Sequence, residues 1–448
     1  MDIFMEETDL LSVRWENRRV ENIVQGSDSG VGLRLMFGDE TRLTHVDCRH
    51  PVTEGLRAPE TERLVSACQE LAGSAVSLPV SFRPVSRPLR RHPIRRPPQN
   101  IPLKDKIHLL RQMDRIARRF PAVRQVTISY GERIRDIAYW NSSPTTFREG
   151  RTYVVMAIQV TVADGKLLQT ATEVIGGLQG FELMSESRCS RLAEMTARRA
   201  VSKLKSPPAP LGEMAVVIAS SSGGTLIHEA VGHSLEADAI RQGTSPHYAG
   251  KIGRTVASPL VTVVDDPTRP GSRGSFIFDD EGVPSRKTVL IDRGVLKTYL
   301  YDRKTARQCH RAPNGHGRRE SYAHKPIPRM SNTYVVPGPH DPKEIIASVD
   351  KGLLVTRMGG GQVNTATGDF VFEVEEGYRI DRGQPAQMVR GANLLGNGPQ
   401  VLRSIDRVGT DLGWAIGTCG KDGQGVPVSD GLPTVRIPTL IVGGTTAD

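Results

Sequence analysis

The sequence predicts an α+β fold in which an N-terminal two-layer α/β domain with an antiparallel sheet precedes a C-terminal, mainly-β domain. Short runs of alternating polar and apolar residues, separated by Gly, Asp and Ser, are typical of antiparallel strands and recur in both halves. Apolar residues at helical spacing occur in the first half, and the proline-rich segment 206–210 follows them. We therefore expect domains at residues 1–205 and 206–448.

The first half is predicted to combine a meander, three helices and four further strands. Residues 10–46 form the meander, because its short alternating runs are joined by turn-forming residues. The pair Asp164-Gly165 is a strong hairpin signal between two of the later strands. The predicted helices are 60–71, 103–119 and 186–204, and the later strands are 123–130, 134–141, 153–162 and 167–174.

The second half is predicted to open with a buried strand at 215–219 and a short helix that Thr225 caps with its hydroxyl. Two hairpins are expected at 290–294 and 379–383, where an Asp precedes a Gly in the turn. A further helix begins after the capping residue Asp341 and is expected to end at Gly352.

The composition is that of an ordinary soluble protein with enough residues for two cores. No stretch approaches the ~18 apolar residues that would cross a bilayer. The first residues are acidic, unlike the basic start of a signal peptide, so we expect a cytoplasmic protein that does not enter the membrane. The cysteines are scattered and include no CxxC pair, which argues against a disulfide framework.

The net charge of +10 raises the question of nucleic-acid binding. Much of the excess lies in the segment 83–106, where six arginines occur among prolines. This Pro/Arg segment has no aromatic residues on which bases could stack, so an exposed, extended loop is the simpler interpretation. An anion-binding or partner-binding arm is the alternative, and nucleic-acid binding is not expected.

The clearest chemical signal is the hexapeptide from His228 to His233, H-E-A-V-G-H, which places two imidazoles and the carboxylate of Glu229 on one short helix. The spacing is one residue longer than in the H-E-x-x-H zinc proteases. In a regular helix the two rings would point about 140° apart. We predict a local i→i+5 turn near Val231 and Gly232, with Gly232 taking the distortion, that brings both rings to one side.

A metal ion held by His228 and His233 needs a third ligand from another part of the chain. The candidates are Glu236, Asp238, His310, His324 and Cys419. Glu236 could be a ligand or could orient a ring N–H, and its local spacing does not decide between these roles. Cys419 lies in a glycine-rich loop in which Lys421 would favour the thiolate.

Several motifs together resemble the TldD/PmbA family, and specifically its metal-bearing TldD-type members. In chain order they are residues 228–233, residues 317–324 with 328–334, residues 359–363 with 368–372, and residues 419–421 with Gly423 and Gln424. The resemblance runs through nearly the whole second half. It implies a zinc-dependent metalloprotease in which His228, His233 and Cys419 hold the zinc and Glu229 is the catalytic base.

The resemblance also implies assembly with a paralogous PmbA-type (TldE) subunit, which encloses a cavity that admits unfolded or flexible peptides. A homodimer is the alternative assembly, and residues 359–372 are the candidate edge to which an extended peptide could add. Arg318, Arg319, Tyr322 and His324 are candidates for stabilising an oxyanion, although no spacing ties them to the metal. A non-catalytic regulatory subunit and a nucleic-acid-associated modulator are the two alternative functions.

Overall fold

The computed structural model describes residues 1–50, 52–53, 58–72, 88–142 and 145–444. Its helices are α1 (Ala58–Ala72), α2 (Leu103–Ala117), α3 (Glu186–Leu204), α4 (Thr225–Ile227), α5 (Ala237–Arg241), α6 (Arg303–Gln308), α7 (Pro342–Ala347) and α8 (Gly398–Ser404). The strands before residue 205 are β1 (Asp2–Glu16), β2 (Arg19–Phe37), β3 (Glu40–Asp47), β4 (Arg90–Arg91), β5 (Val123–Asn141), β6 (Thr146–Asp164) and β7 (Leu167–Gly177).

The strands of the second half form two larger sheets and one small pair. They are β8 (Gly212–Ile218), β9 (Val263–Asp265), β10 (Thr288–Asp292), β11 (Val295–Leu296), β12 (Gly317–Arg318), β13 (Ile327–Pro328), β14 (Asn332–Val335), β15 (Lys351–Val363), β16 (Asp369–Asp381), β17 (Gln384–Val389), β18 (Ala392–Asn397), β19 (Arg407–Val408), β20 (Gly413–Lys421), β21 (Gln424–Leu432) and β22 (Val435–Gly444).

The first half is a two-layer α/β unit, as predicted. Its sheet has the order β3-β2-β1-β5-β6-β4, and β7 also pairs with β6. The helices α2 and α3 cover one face of the sheet, where Leu110 and Ala197 share a core with Val126 and Ile128. The predicted α+β fold is therefore confirmed, and the division at residues 205 and 206, between α3 and β8, stays a prediction.

Two strands of this sheet continue through glycines at which the sequence predicted turns. β2 runs through Gly26, which pairs with Leu10 of β1. β5 runs through Gly131, which pairs with Ser12 on one side and with Val155 on the other. Backbone hydrogen bonding to neighbouring strands outweighs the low strand preference of glycine at these positions.

The described part of the Pro/Arg segment is not the single exposed loop that the sequence predicted. Arg91 pairs with β6 as part of β4, and its guanidinium donates to Asp136 at 2.6 Å. Lys106 is buried within α2 and donates to Glu132 at 2.7 Å. Arg83 and Arg87 lie outside the described residues. Where it is described, the segment is thus partly built into the first-half sheet and its helix layer.

In the second half, one sheet has the order β11-β10-β9-β14-β21-β20 and the other the order β15-β8-β22-β18-β16-β17. Both predicted hairpins are present, and their turn residues Arg293 and Arg382 have φ of 45° and 50°. The helix α7 begins at Pro342 with an Asp341 cap, as predicted, but it ends at Ala347 because the chain then enters β15.

Buried polar contacts join the two halves. Both oxygens of Glu149 on β6 accept backbone N–H groups, from Ile277 at 2.8 Å and Phe278 at 3.1 Å. Arg151 donates to Asp280 at 2.9 Å. These contacts hold the segment around residues 277–280 against the first-half sheet. Among the described residues, no helix is long and apolar enough to cross a membrane.

Candidate metal centre

The strand β8 leads directly into the helix that carries the H-E-x-x-x-H motif. After one turn of α4, residues His228–Gly232 form a π-helical turn, in which the N–H of His233 donates to the carbonyl of His228. This i→i+5 bond is the predicted bulge, and it leaves the ring centroids of His228 and His233 5.1 Å apart. The local distortion therefore brings the two imidazoles to one side, as the spacing required.

The structural role of Gly232 differs from the predicted one. Its φ of −58° and ψ of −57° are ordinary helical values that any residue adopts. A Cβ atom at this position would instead overlap Sδ of Met330, whose side chain is fully buried against the turn. Glycine is needed here for close packing and not for backbone freedom.

The start of the helix is held by Asp430, a residue distant in the sequence. Thr225 is the first helical residue and not the cap, and Gly224 precedes it. The N–H of Gly224 donates to Oδ1 of the buried Asp430 at 3.0 Å. Asp430 lies on β21, 206 positions after Gly224 in the chain. No local sequence pattern could therefore have indicated it.

The hairpin of β20 and β21 brings Cys419 to the two imidazoles. Its Sγ lies 3.4 Å from Nε2 of His233, and one donor atom each from His228, His233 and Cys419 lie within 4.8 Å of one another. Among the described residues, this is the group of potential ligands that clusters closely enough to hold an ion. The other predicted candidates Glu236, Asp238, His310 and His324 are not part of it.

The three side chains shift one another's proton affinities. Burial raises the pKa of the Cys419 thiol, but His228 and His233 outweigh burial and hold that pKa well below its ordinary value. Burial lowers the pKa of His233, whereas Glu236 and Cys419 raise it well above the usual range. The pocket therefore favours the thiolate, which is the form of cysteine that binds metals.

Glu236 orients one of the imidazoles. It is buried, with 1% of its surface exposed, and its Oε2 lies 3.1 Å from Nδ1 of His233. Burial raises the pKa of Glu236, but Lys421 and His233 lower it to about 2. A carboxylate on Nδ1 directs Nε2 of His233 towards Cys419, which is the arrangement that fixes a metal-binding imidazole.

Lys421 has a different role from the predicted one. Its ammonium donates to Glu236 at 3.0 Å, to Asp238 at 2.7 Å and to the carbonyl of Pro328 at 3.0 Å. These three bonds use all its protons. Lys421 thus neutralises the carboxylates behind His233, and the largest contributions that lower the pKa of Cys419 come from His228 and His233.

The predicted base, Glu229, is half-buried on the π-helical turn. Among the described residues its carboxylate has no hydrogen-bond or ion-pair partner. Thr225, one turn earlier on the helix, lines a cleft of about 660 Å³ between β7, β15 and β20. Because the Glu229 carboxylate has no such partner, it is free to bond to water or to a ligand, although Glu229 itself is not among the residues that line the cleft.

The four oxyanion candidates are engaged elsewhere in the fold. The buried Arg318 donates to the carbonyls of Met330 and Pro427, and the guanidinium of Arg319 lies 4.4 Å from the ring centroid of Phe4. The hydroxyl of Tyr322 lies 2.9 Å from Oδ1 of Asp28 and 3.0 Å from Oδ1 of Asp47, and His324 bonds to Ser321. Their contacts indicate structural roles.

The donor set suits a zinc ion. Two imidazoles and one thiolate are typical zinc ligands, and three protein ligands leave a position open. Within the described part of the chain, Nδ1 of His228 is buried and has no hydrogen-bond partner. A ligand at this site would supply the partner that Nδ1 of His228 lacks.

Comparison with known proteins places the chain in a family. Models for the three domains of PmbA/TldA metallopeptidases match residues 1–43, 96–204 and 211–444. A protein of Haemophilus influenzae named metalloprotease TldD homolog is 37% identical over 426 residues, which cover 93% of this chain and 87% of the relative. The chain belongs to the PmbA/TldD metallopeptidase family.

Other members of the PmbA/TldD family extend this result. A metalloprotease of Methanothermobacter thermautotrophicus is 38% identical over 437 residues, which cover 97% of this chain and 93% of the relative. The crystal structure of TldE from Thermococcus kodakarensis has the same fold, with a TM-score of 0.72, 18% identity and coverage of 99% of this chain and 96% of the other. The predicted family resemblance is thus confirmed.

Proposed function

We propose that this PmbA/TldD protein is a zinc-dependent peptidase that hydrolyses unfolded or flexible peptides. The proposed zinc ligands are His228, His233 and Cys419, and the proposed general base is Glu229. The observation that carries the proposal is the convergence of three donor atoms within 4.8 Å, two from a π-helical turn and one from a distant hairpin. Relatives named metalloproteases support it, and one from Saccharolobus solfataricus is named a zinc metalloprotease.

The protein groups have separate tasks in this mechanism. A zinc ion bound here supplies Lewis acidity, which polarises a peptide carbonyl and acidifies water. The unpartnered carboxylate of Glu229 accepts a proton from the attacking water and returns it to the leaving amine. Glu236 holds the Nδ1 proton of His233, so that the lone pair of Nε2 stays directed into the site.

The cleft beside the helix is the proposed substrate site. β20 is the last strand of its sheet, β7 pairs with β6, and β15 beyond Val355 pairs only with β16 among the described residues. Residues of these three strands line the cleft. An extended peptide can add to an unpaired strand edge through backbone hydrogen bonds. Binding by strand addition requires a substrate segment whose backbone is not already hydrogen-bonded in a structure of its own. We therefore expect flexible peptides to be cleaved and folded proteins to resist cleavage.

A paralogous PmbA-type subunit is part of the proposal, with a homodimer as the alternative assembly. A partner of the same fold would enclose the cleft and restrict entry to narrow, extended chains. Sedimentation velocity, measured on the purified chain alone and mixed with such a paralogue, distinguishes the heteromeric assembly from the homodimer. A homodimer that does not exchange with the paralogue would contradict the heteromeric assembly.

The function is tested by Glu229→Gln in the full-length protein. We expect the variant to keep about one zinc per chain, measured by mass spectrometry, and to lose at least about 100-fold in cleavage of an unstructured fluorogenic peptide. Glu213→Gln, at an exposed position of β8, is the matched control and should behave like the parent. Parent-like cleavage by Glu229→Gln would exclude Glu229 as the base, and a parent protein without zinc or cleavage would favour the regulatory alternative.

A further inference from the structure

A second cavity, of about 300 Å³, lies between the first-half sheet and the β20–β21 hairpin. Leu11 and Pro427 contribute apolar surface, and Arg133, Arg135, Arg273 and Tyr153 contribute polar groups. Thr418 also lines it. Thr418 and Cys419 are adjacent on β20, and successive side chains of a strand point to opposite faces. The cavity and the Cys419 side chain therefore lie on opposite faces of the hairpin. It is therefore separate from the metal centre.

Two buried side chains of this arginine cavity have polar atoms without partners. Arg135 is 2% exposed, and its Nε donates to Glu6 at 2.7 Å, but its Nη2 has no hydrogen-bond partner among the described residues. Tyr153 is 4% exposed, and its hydroxyl also has none within that part of the chain. Buried donors are normally paired, so an acceptor bound in this cavity would satisfy two donors that the described protein leaves unpaired.

The charge of the cavity is only partly compensated. Arg133 and Arg135 share a single carboxylate, that of Glu6, at 3.5 Å and 2.7 Å. Arg273 has no carboxylate partner among the residues that the structure describes, and its guanidinium donates to the carbonyl of Gly417 at 3.1 Å and to Thr418 at 3.3 Å. Burial lowers the pKa of Arg273, and burial and the adjacent Arg135 lower that of Arg133. The acidic lining residue Glu132 already accepts from Lys106 at 2.7 Å. An anion would relieve this excess of positive charge.

We propose that the arginine cavity binds a carboxylate with an apolar substituent, such as the C-terminal residue of a short peptide. Guanidinium groups and a hydroxyl are suitable donors to a carboxylate, and the apolar wall formed by Leu11 and Pro427 can receive the substituent. The choice of a peptide as the source rests on the proposed peptidase function. The preference for a carboxylate rests only on the cavity.

The test is calorimetric titration of the full-length protein with N-acetylleucine, N-acetylleucinamide and inorganic phosphate. We expect N-acetylleucine to bind and the neutral amide to bind at least about tenfold more weakly, because it lacks the charge that the arginines recognise. The titration is repeated after zinc is removed with a chelator. Binding should persist, which distinguishes this cavity from the metal centre and keeps the result independent of peptidase activity.

Two variants locate the binding. Arg273→Gln should weaken N-acetylleucine binding at least about tenfold, and Tyr153→Phe should weaken it about fivefold. The matched controls are Arg198→Gln, at an exposed site on α3, and Tyr248→Phe, which removes another buried hydroxyl that has no partner among the described residues. Tyr153→Phe should fold normally, because the lost hydroxyl makes no bond within the described protein.

Each of the following results would overturn the proposal. They are equal binding of acid and amide, binding of phosphate alone, parent-like affinity in both cavity variants, and loss of binding on removal of zinc. The last result would assign the carboxylate to the metal centre. Absence of any binding at millimolar N-acetylleucine would indicate that the cavity holds only water.

Discussion

The sulfur of Cys419 lies 3.4 Å from Nε2 of His233, although 186 residues separate them in the chain. The buried Arg329 links the two segments that carry these residues. Its guanidinium donates to the carbonyl of Cys419 and lies 4.0 Å from Glu236, which in turn holds Nδ1 of His233. The hairpin and the π-helical turn are thus joined by one buried polar network as well as by the ligand cluster.

Replacing Cys419 by Ser should abolish stable zinc binding. The substitution removes the thiolate from a three-ligand site, and a neutral hydroxyl is a much poorer ligand. We expect zinc content to fall from about one per chain to a small fraction of that, measured by mass spectrometry after dialysis. Cys309→Ser, which changes a cysteine outside the cluster, should retain the metal. Full zinc occupancy in Cys419→Ser would remove Cys419 from the ligand set.

Replacing Glu236 by Gln should weaken zinc binding without removing a ligand. The amide can still accept from Nδ1 of His233, but it no longer carries the charge that orients and polarises the ring. Loss of such a partner typically costs about 10–100-fold in metal affinity. Competition with a fluorescent zinc chelator measures the effect, and Glu344→Gln at an exposed site on α7 is the control. Unchanged affinity would show that Glu236 only stabilises the fold.

Replacing Gly232 by Ala should destabilise the protein through Met330. The new Cβ would overlap Sδ of Met330, and overpacking of this kind typically costs about 1–3 kcal/mol. Urea denaturation measures the change. If the contact is the cause, Met330→Ala in the same chain should relieve the clash, so that the double variant is more stable than the sum of the two single effects predicts. Strict additivity would argue against this explanation.

The buried Glu149 should make stability depend on pH in the acid range. Burial raises its pKa, but Arg151 and hydrogen bonds outweigh burial and lower it from an ordinary 4.5 to about 2. Because the pKa is lower in the folded protein, ionised Glu149 stabilises the fold at pH above about 4.5, and this contribution is lost as the pH falls towards 2. It amounts to about 3 kcal/mol when complete.

The pH dependence is measured as the free energy of unfolding of the parent and of Glu149→Gln between neutral and acid pH. The difference between the two proteins should shrink as the pH falls. Glu194→Gln, which changes an exposed ion pair on α3, should leave the parent profile unchanged. A constant difference over the acid range would show that the effect of Glu149→Gln comes from altered hydrogen bonds and not from ionisation.

Prediction from the sequence succeeded for elements whose bounds are determined by residues close together in the chain. The helix α3 has the predicted bounds, and the Asp164-Gly165 turn joins β6 to β7, with Gly165 at a φ of +56°. It was wrong at Gly131 and Gly26, where strand pairing continued the sheet through residues that usually end strands. It was also wrong about Thr225, because the cap depends on Asp430 from another strand.

The sequence by itself determined the π-helical turn. Two imidazoles five residues apart point in different directions on a regular α-helix, and a local i→i+5 turn brings them to the same side. Only the tertiary structure decided which of Glu236, Asp238, His310, His324 and Cys419 faces both rings. That choice depends on how β20 pairs with β21 and on where their sheet lies beside the helix. Such contacts arise from hydrogen bonding and packing between segments far apart in the chain, which leave no periodic signal in either segment.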